Sequence, residues 1–151
     1  QRQMCIRDRP ITNVVRGQSE EAFYCPGSIL LVSIDTSHTI GYGMPSEANA
    51  MLVNNGGYRI SRARRGADVR TIAQYPNAPL LRSGLLVGEK HIRGTAAIVE
   101  VPLGKGRIIL HTFRVQHRGQ TWGTFKLLFN SIFYGPAISG QSPIQPSLDA
   151  Q

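Results

Sequence analysis

Cysteine is scarce: Cys5 and Cys25 are the only two in 151 residues. That excludes a disulfide framework, and their spacing fits no metal site. Cys25 stands in Phe23-Tyr24-Cys25-Pro26-Gly27, between an aromatic pair and a turn, and reads as a small buried residue rather than a nucleophile. Long apolar runs are also missing. No stretch of about 18 apolar residues exists, so no helical membrane span is expected, and the first residues carry charge without the apolar stretch of a signal peptide. Lysine is rare, with three against fourteen arginines, and acids number nine, leaving a formal charge of +8. The arginines form no Lys-rich tract, have few aromatics near them and match no nucleic-acid module, so no nucleic-acid partner is expected.

What is present describes one globular domain. The hydrophobic share is 41% and the charged share 17%, enough to bury a real core at this length. Residues 1–9, Gln-Arg-Gln-Met-Cys-Ile-Arg-Asp-Arg, have no hydrophobic period and resemble a translated sequencing adaptor. They are set apart from the fold, with their three arginines and one aspartate, and the gene is expected to continue upstream. The domain is then expected over residues 10–135, followed by a Pro-, Ser- and Gln-rich disordered tail over residues 136–151.

Within the domain, residues 27–35 (Gly-Ser-Ile-Leu-Leu-Val-Ser-Ile-Asp) predict a buried strand. Ser46-Glu47 could open a helical turn, and residues 50–53 and 69–75 predict two more strands. Between them, residues 59–70 hold five arginines and read as an exposed loop, while residues 80–88 fit neither state clearly. Residues 95–101 and 107–113 flank Pro102-Leu103-Gly104-Lys105-Gly106, the signature of a hairpin. Trp122, Phe125, Leu128, Phe129, Ile132 and Phe133 recur at helical spacing. They predict a helix capped by Thr121, ended by Gly135-Pro136 and packed on the hairpin through that aromatic face.

Several of these segments carry a resemblance. Val101-Pro102-Leu103-Gly104-Lys105-Gly106-Arg107-Ile108-Ile109-Leu110 and the run from Phe113-Arg114-Val115-Gln116-His117-Arg118 to Lys126-Leu127-Leu128-Phe129-Asn130 resemble the closing segment of one family. Phe23-Tyr24-Cys25-Pro26-Gly27-Ser28, His38 and Tyr42-Gly43-Met44-Pro45 resemble it too. The family is the bacterial zinc metallocarboxypeptidases of the carboxypeptidase A type that carry a C-terminal class I glutamine-amidotransferase-like domain. The resemblance implies an α/β fold, the later part of an open, mostly parallel, flavodoxin-like sheet with a terminal β-hairpin and a C-terminal helix. It implies that the zinc and the catalytic peptidase domain lie upstream, with that domain as partner and a peptide as the parent's substrate. It also implies a periplasmic or secreted location.

The chemistry of either parent activity needs residues that this chain does not supply in pattern. A carboxypeptidase zinc takes a His, a Glu three residues on and a distant His. His38, His91, His111 and His117 are followed at that spacing by Gly41, Gly94, Arg114 and Gln120. Amidotransferase chemistry needs a Cys on a strand-to-helix elbow and a late His with a Glu two residues on. His117 could match that His, but Gly119 replaces the Glu, and Cys25 precedes a proline. Ser37-His38 are sequence neighbours and unsuited to a triad. No catalytic residue and no cofactor are therefore assigned to this chain. Arg114, Gln116, His117 and Arg118 form the candidate ligand site, at the expected carboxyl end of a strand and before a helix N-terminus that favours anions. Two functions are consistent with these residues: a non-catalytic accessory domain of a secreted zinc carboxypeptidase, or a small-ligand or anion-binding module. A cryptic hydrolase or amidotransferase-like site is the third possibility, and it requires a nucleophile within hydrogen-bond reach of a base.

Overall fold

The computed structural model describes residues 11–54, 56–60, 69–103 and 106–139. Among these residues the elements run β1 (Ile11–Asn13), β2 (Ser28–Ile34), β3 (Glu47–Leu52), β4 (Tyr58–Ile60), β5 (Arg70–Gln74), β6 (Leu81–Ser83), β7 (Ala96–Leu103), β8 (Gly106–His111) and α1 (Trp122–Ser139). Single 3₁₀ turns occupy Thr39–Gly41, Glu89–His91 and His117–Gly119.

The strands form one sheet in the order β1-β4-β7-β5-β2-β3, with β6 added to β2 and β8 to β7. Every described pairing is antiparallel. This corrects the expectation of an open, mostly parallel α/β sheet of the amidotransferase type. Parallel neighbours need a crossover of about a dozen residues or more, usually a helix. The connection between β2 and β3 holds only a 3₁₀ turn, and α1, the single α-helix among the described residues, follows the last strand. No βαβ unit can be built from these parts.

The parallel expectation came from the resemblance alone; strands of a parallel sheet are buried on both faces. Here β2 reaches the same burial by another route. β3 pairs along β2 from Ser28↔Leu52 to Ser33↔Glu47, while β6 and β5 pair with β2 at Ile29–Leu30 and Ser33–Ile34. Register breaks at Ile29/Leu30, Thr71/Ala73 and Ala73/Gln74 bend the strands, and the sheet curls into a half-barrel. A curled sheet covers its own concave face. Leu30, Val32, Leu52, Ile72, Tyr75, Leu80 and Ile98 meet there in one core with Leu127 of α1.

Other expectations hold or shift locally. The strand predicted over residues 69–75 is β5. Residues 95–101 and 107–113 correspond to β7 and β8, which pair as a hairpin from Ile98↔His111 to Leu103↔Gly106. Glu47 opens β3 instead of a helical turn. The arginine-rich loop expected over residues 59–70 falls mainly on residues 61–68, outside the described residues, while its flanks belong to β4 and β5. Residues 80–88 supply β6 and a bridge from Val87 to Tyr24.

The helix starts where expected, but its face is reversed. Leu127 is fully buried, Thr124 and Tyr134 are buried beside it, and Leu128 is half-buried. Trp122, Phe129, Ile132 and Phe133 face outward with 78%, 53%, 57% and 72% of their surface exposed. The inner face wins because its polar groups bond the sheet side of the molecule: Thr124 Oγ1 donates to the Val115 carbonyl at 2.7 Å, and Asn130 Nδ2 donates to the Ile40 carbonyl at 2.9 Å. Thr121 also directs its hydroxyl to the Val115 carbonyl, at 2.9 Å. Gly135-Pro136 does not stop α1, which continues to Ser139. The missing proline N–H removes a single bond of the helical ladder.

Candidate functional site

One buried carboxylate ties loop, sheet and helix together. Glu100 lies in the middle of β7 and is fully buried. An antiparallel hairpin brings diagonal neighbours onto one face. The register Glu100↔Ile109 and Pro102↔Arg107 therefore sets Arg107 beside it, and Arg107 Nη1 donates to Glu100 Oε1. From the other side His38, in the loop after β2, bonds through Nε2 to Glu100 Oε2 at 3.0 Å. Tyr134 of α1 completes the group, its hydroxyl 3.4 Å from both Glu100 Oε1 and Arg107 Nη1. The Arg107 guanidinium lies 5.7 Å from the Tyr134 ring centre, and the His38 ring meets that ring edge-on at 5.2 Å.

The protonation states follow from these partners. His38 Nδ1 accepts the Ile40 backbone N–H at 3.2 Å, so the proton sits on Nε2 and is donated to Glu100. Burial pushes the Glu100 carboxyl up, but the hydrogen bonds from Arg107 and His38 more than offset it and hold its pKa below the ordinary value. Burial and the Glu100 charge raise the Tyr134 phenol. Each imidazole nitrogen is thus already committed, and the carboxylate stays ionised. The group is built as a joint between three elements and offers no free base for proton abstraction.

A second imidazole sits nearby in a different state. His111, the last residue of β8, has Nε2 3.3 Å from Ser131 Oγ, which itself donates to the Leu127 carbonyl at 2.6 Å. His111 Nδ1 is buried without a hydrogen-bond partner. Burial lowers the His111 pKa from 6.5 to about 4.

The residues singled out from sequence are placed as follows. Arg114, Gln116, His117 and Arg118 lie in the connection between β8 and α1, with His117–Gly119 forming its 3₁₀ turn. Arg114, Gln116 and Arg118 are exposed and His117 is half-buried. Among the described residues neither Arg114 nor Arg118 makes an ion pair. Arg118 adopts φ 48°, and Trp122 Nε1 folds back to donate to the Gly119 carbonyl. Arg118 thus precedes the glycine that Trp122 bonds, next to the start of the outer aromatic face of α1. Lys126, whose Nζ bonds the Gly43 carbonyl at 2.9 Å, lies further along the helix.

Cys25 is buried, with Sγ 3.5 Å from the Leu52 carbonyl, and burial pushes its thiol pKa up. That is opposite to what a nucleophile requires. Ser37 donates to Asp35 Oδ1, while its neighbour His38 turns to Glu100. Among the described residues no three of His, Cys, Asp and Glu converge on a metal-binding group, and no helix is long and apolar enough to cross a membrane. Sequence reasoning missed the Glu100 joint. Its only signal was an acid inside an otherwise apolar strand, Ala96-Ala97-Ile98-Val99-Glu100-Val101. No protein-family model matches the chain, and no curated protein matches it.

Proposed function

We propose that this chain is a non-catalytic accessory module that docks onto another folded domain through the outer face of α1. The observation that carries the reading is the exposure of Trp122, Phe129, Ile132 and Phe133 along one side of a single helix. Monomeric proteins rarely leave so contiguous an aromatic surface in water, and such surfaces mark interfaces. The occupant proposed is the zinc carboxypeptidase domain that the sequence resemblance places upstream in the same polypeptide. On this reading the zinc and the peptide-hydrolysing residues belong to that domain, in a periplasmic or secreted protein, and this chain needs no cofactor. Charge favours an unlike partner over a second copy. The chain carries +8, Lys126 lies on α1 and Arg118 just before it, and α1 has no acid in its first turn. Two such faces would repel along their rims, whereas an apolar surface edged with carboxylates would complement them.

Hydroxyl-radical footprinting tests the reading on two polypeptides, this chain and one extended upstream through the peptidase domain. Labelling of Trp122, Phe129 and Phe133 should be strong in this chain and reduced several-fold in the longer one. Equal labelling in both overturns the docking role. A dimer of this chain that Phe129→Asp and Phe133→Asp dissolve would assign the face to a second copy and overturn the proposed occupant.

A further inference from the structure

Between the start of the sheet and the turn before β7 lies a cleft of about 620 Å³, within the ordinary range for small-molecule sites. Asn13, Arg16, Gln18, Lys90, His91 and Arg93 contribute to its walls, and no acid lines it. Four basic side chains around one concavity, with amide groups between them, are a constellation suited to an oxygen-rich anion.

The walls are held in place from behind. On one side β1 ends in a tight turn, where Val15 N–H donates to Asn13 Oδ1 at 3.1 Å and Gln18 N–H to the Val15 carbonyl at 3.1 Å. Val14 N–H donates to the Gly57 carbonyl at 3.1 Å, and Val14 and Val15 pack against the core. On the other side Ile92 is fully buried directly after the 3₁₀ turn Glu89–His91. Gly88 enters that turn at φ 75°, and a Cβ there would lie 2.0 Å from the Ala22 carbonyl oxygen, so only glycine fits. Glu89 lies behind the rim: its Oε1 accepts from Leu80 N–H at 2.6 Å and from Arg93 Nε at 2.9 Å, fixing the Arg93 fork. Arg16 and Lys90 make no ion pair among the described residues. Lys90 also borders the neighbouring cleft of Glu21 and Glu89.

We infer that this cleft binds a small polyanion bearing phosphate or several carboxylate groups, held by Arg16 and Lys90 with Arg93 as a pre-oriented third donor. The inference is independent of the docking role of α1. None of Arg114, Gln116, His117 and Arg118 lines this cleft, so it is a second candidate site, separate from the one the sequence pattern pointed to.

Isothermal titration of the full 151-residue chain at fixed ionic strength tests the site, with inorganic pyrophosphate and citrate as separate probes and chloride as the reference. Saturable binding of about one anion per chain is expected. Arg16→Gln and Lys90→Gln should each weaken it about tenfold, as loss of a charge-assisted contact does. Arg82→Gln, which removes the same charge from exposed β6, should leave it unchanged. Tighter pyrophosphate binding assigns the site to phosphate groups, and tighter citrate binding assigns it to carboxylates. Non-saturable heats, or equal losses in all three variants, would reduce the effect to net charge and overturn the site.

Discussion

At the residue scale, His111 has the least comfortable surroundings for its chemistry. Its Nδ1 is buried without a partner, and burial depresses its pKa from 6.5 to about 4. The unfolded chain therefore takes up a proton at this residue before the folded chain does. Stability from the neutral imidazole is complete above pH 6.5, is lost as pH falls toward 4, and is constant below that. Across that whole interval the loss amounts to roughly 3 kcal/mol. His111→Phe, beside Phe113, removes the titration. Urea unfolding at a series of pH values should show the parent falling relative to this variant between pH 6.5 and 4. An imidazole resonance for His111 that titrates near 6.5, the ordinary histidine value, would refute the assignment. No sequence pattern distinguishes His111 from the other three histidines, because its state depends on what α1 lays over the end of β8.

At the element scale, α1 separates what periodicity reveals from what it conceals. The spacing of Trp122, Phe125, Phe129, Ile132 and Phe133 located the helix and its most apolar face. It could not say which face meets the sheet. That is decided by Thr124, Leu127, Asn130 and Tyr134, and the partners of Asn130 and Tyr134, Ile40 and Glu100, come from distant parts of the chain. The stability consequences are opposite for the two faces. Leu127→Ala empties a fully buried position and should cost about 2–5 kcal/mol. Phe129→Ala, on the exposed face, should stay within about 0.5 kcal/mol of the parent and raise solubility. Thermal melts of both variants check this: a large loss in Phe129→Ala with little in Leu127→Ala would restore the opposite face to the core.

At the scale of the whole molecule, β2, β3, β5, β7 and β8 were legible as strands, β1, β4 and β6 were not, and of the pairings only the terminal hairpin was. The hairpin of β7 and β8 could be read because both strands and their short connection are contiguous. The long-range pairings of β2 with β3, β5 and β6 depend on bulges and on curvature, which leave no mark in a short apolar run. The central joint escaped notice for the same reason. Glu100, His38, Arg107 and Tyr134 come from β7, the loop after β2, β8 and α1, and only the fold assembles them.

That joint carries the last prediction. Glu100→Gln keeps the size of the side chain and removes the charge that satisfies Arg107 and His38. Because Arg107 is partly exposed, water can compensate it in part, so the loss at pH 7 should be near the low end for a broken buried pair, about 3 kcal/mol. The folded Glu100 carboxyl has a lowered pKa. Its stabilising contribution is therefore present above the ordinary carboxylate pKa and is lost as pH falls through the lowered folded value. The stabilities of parent and variant should differ most near neutrality and converge in acid. Because the joint links loop, sheet and helix, far-UV and near-UV signals should melt together in the parent. Denaturant titrations of both proteins from about pH 7 to about pH 2.5 measure the convergence. A gap that stays constant over that range would mean that the Glu100 charge does not hold the three elements together.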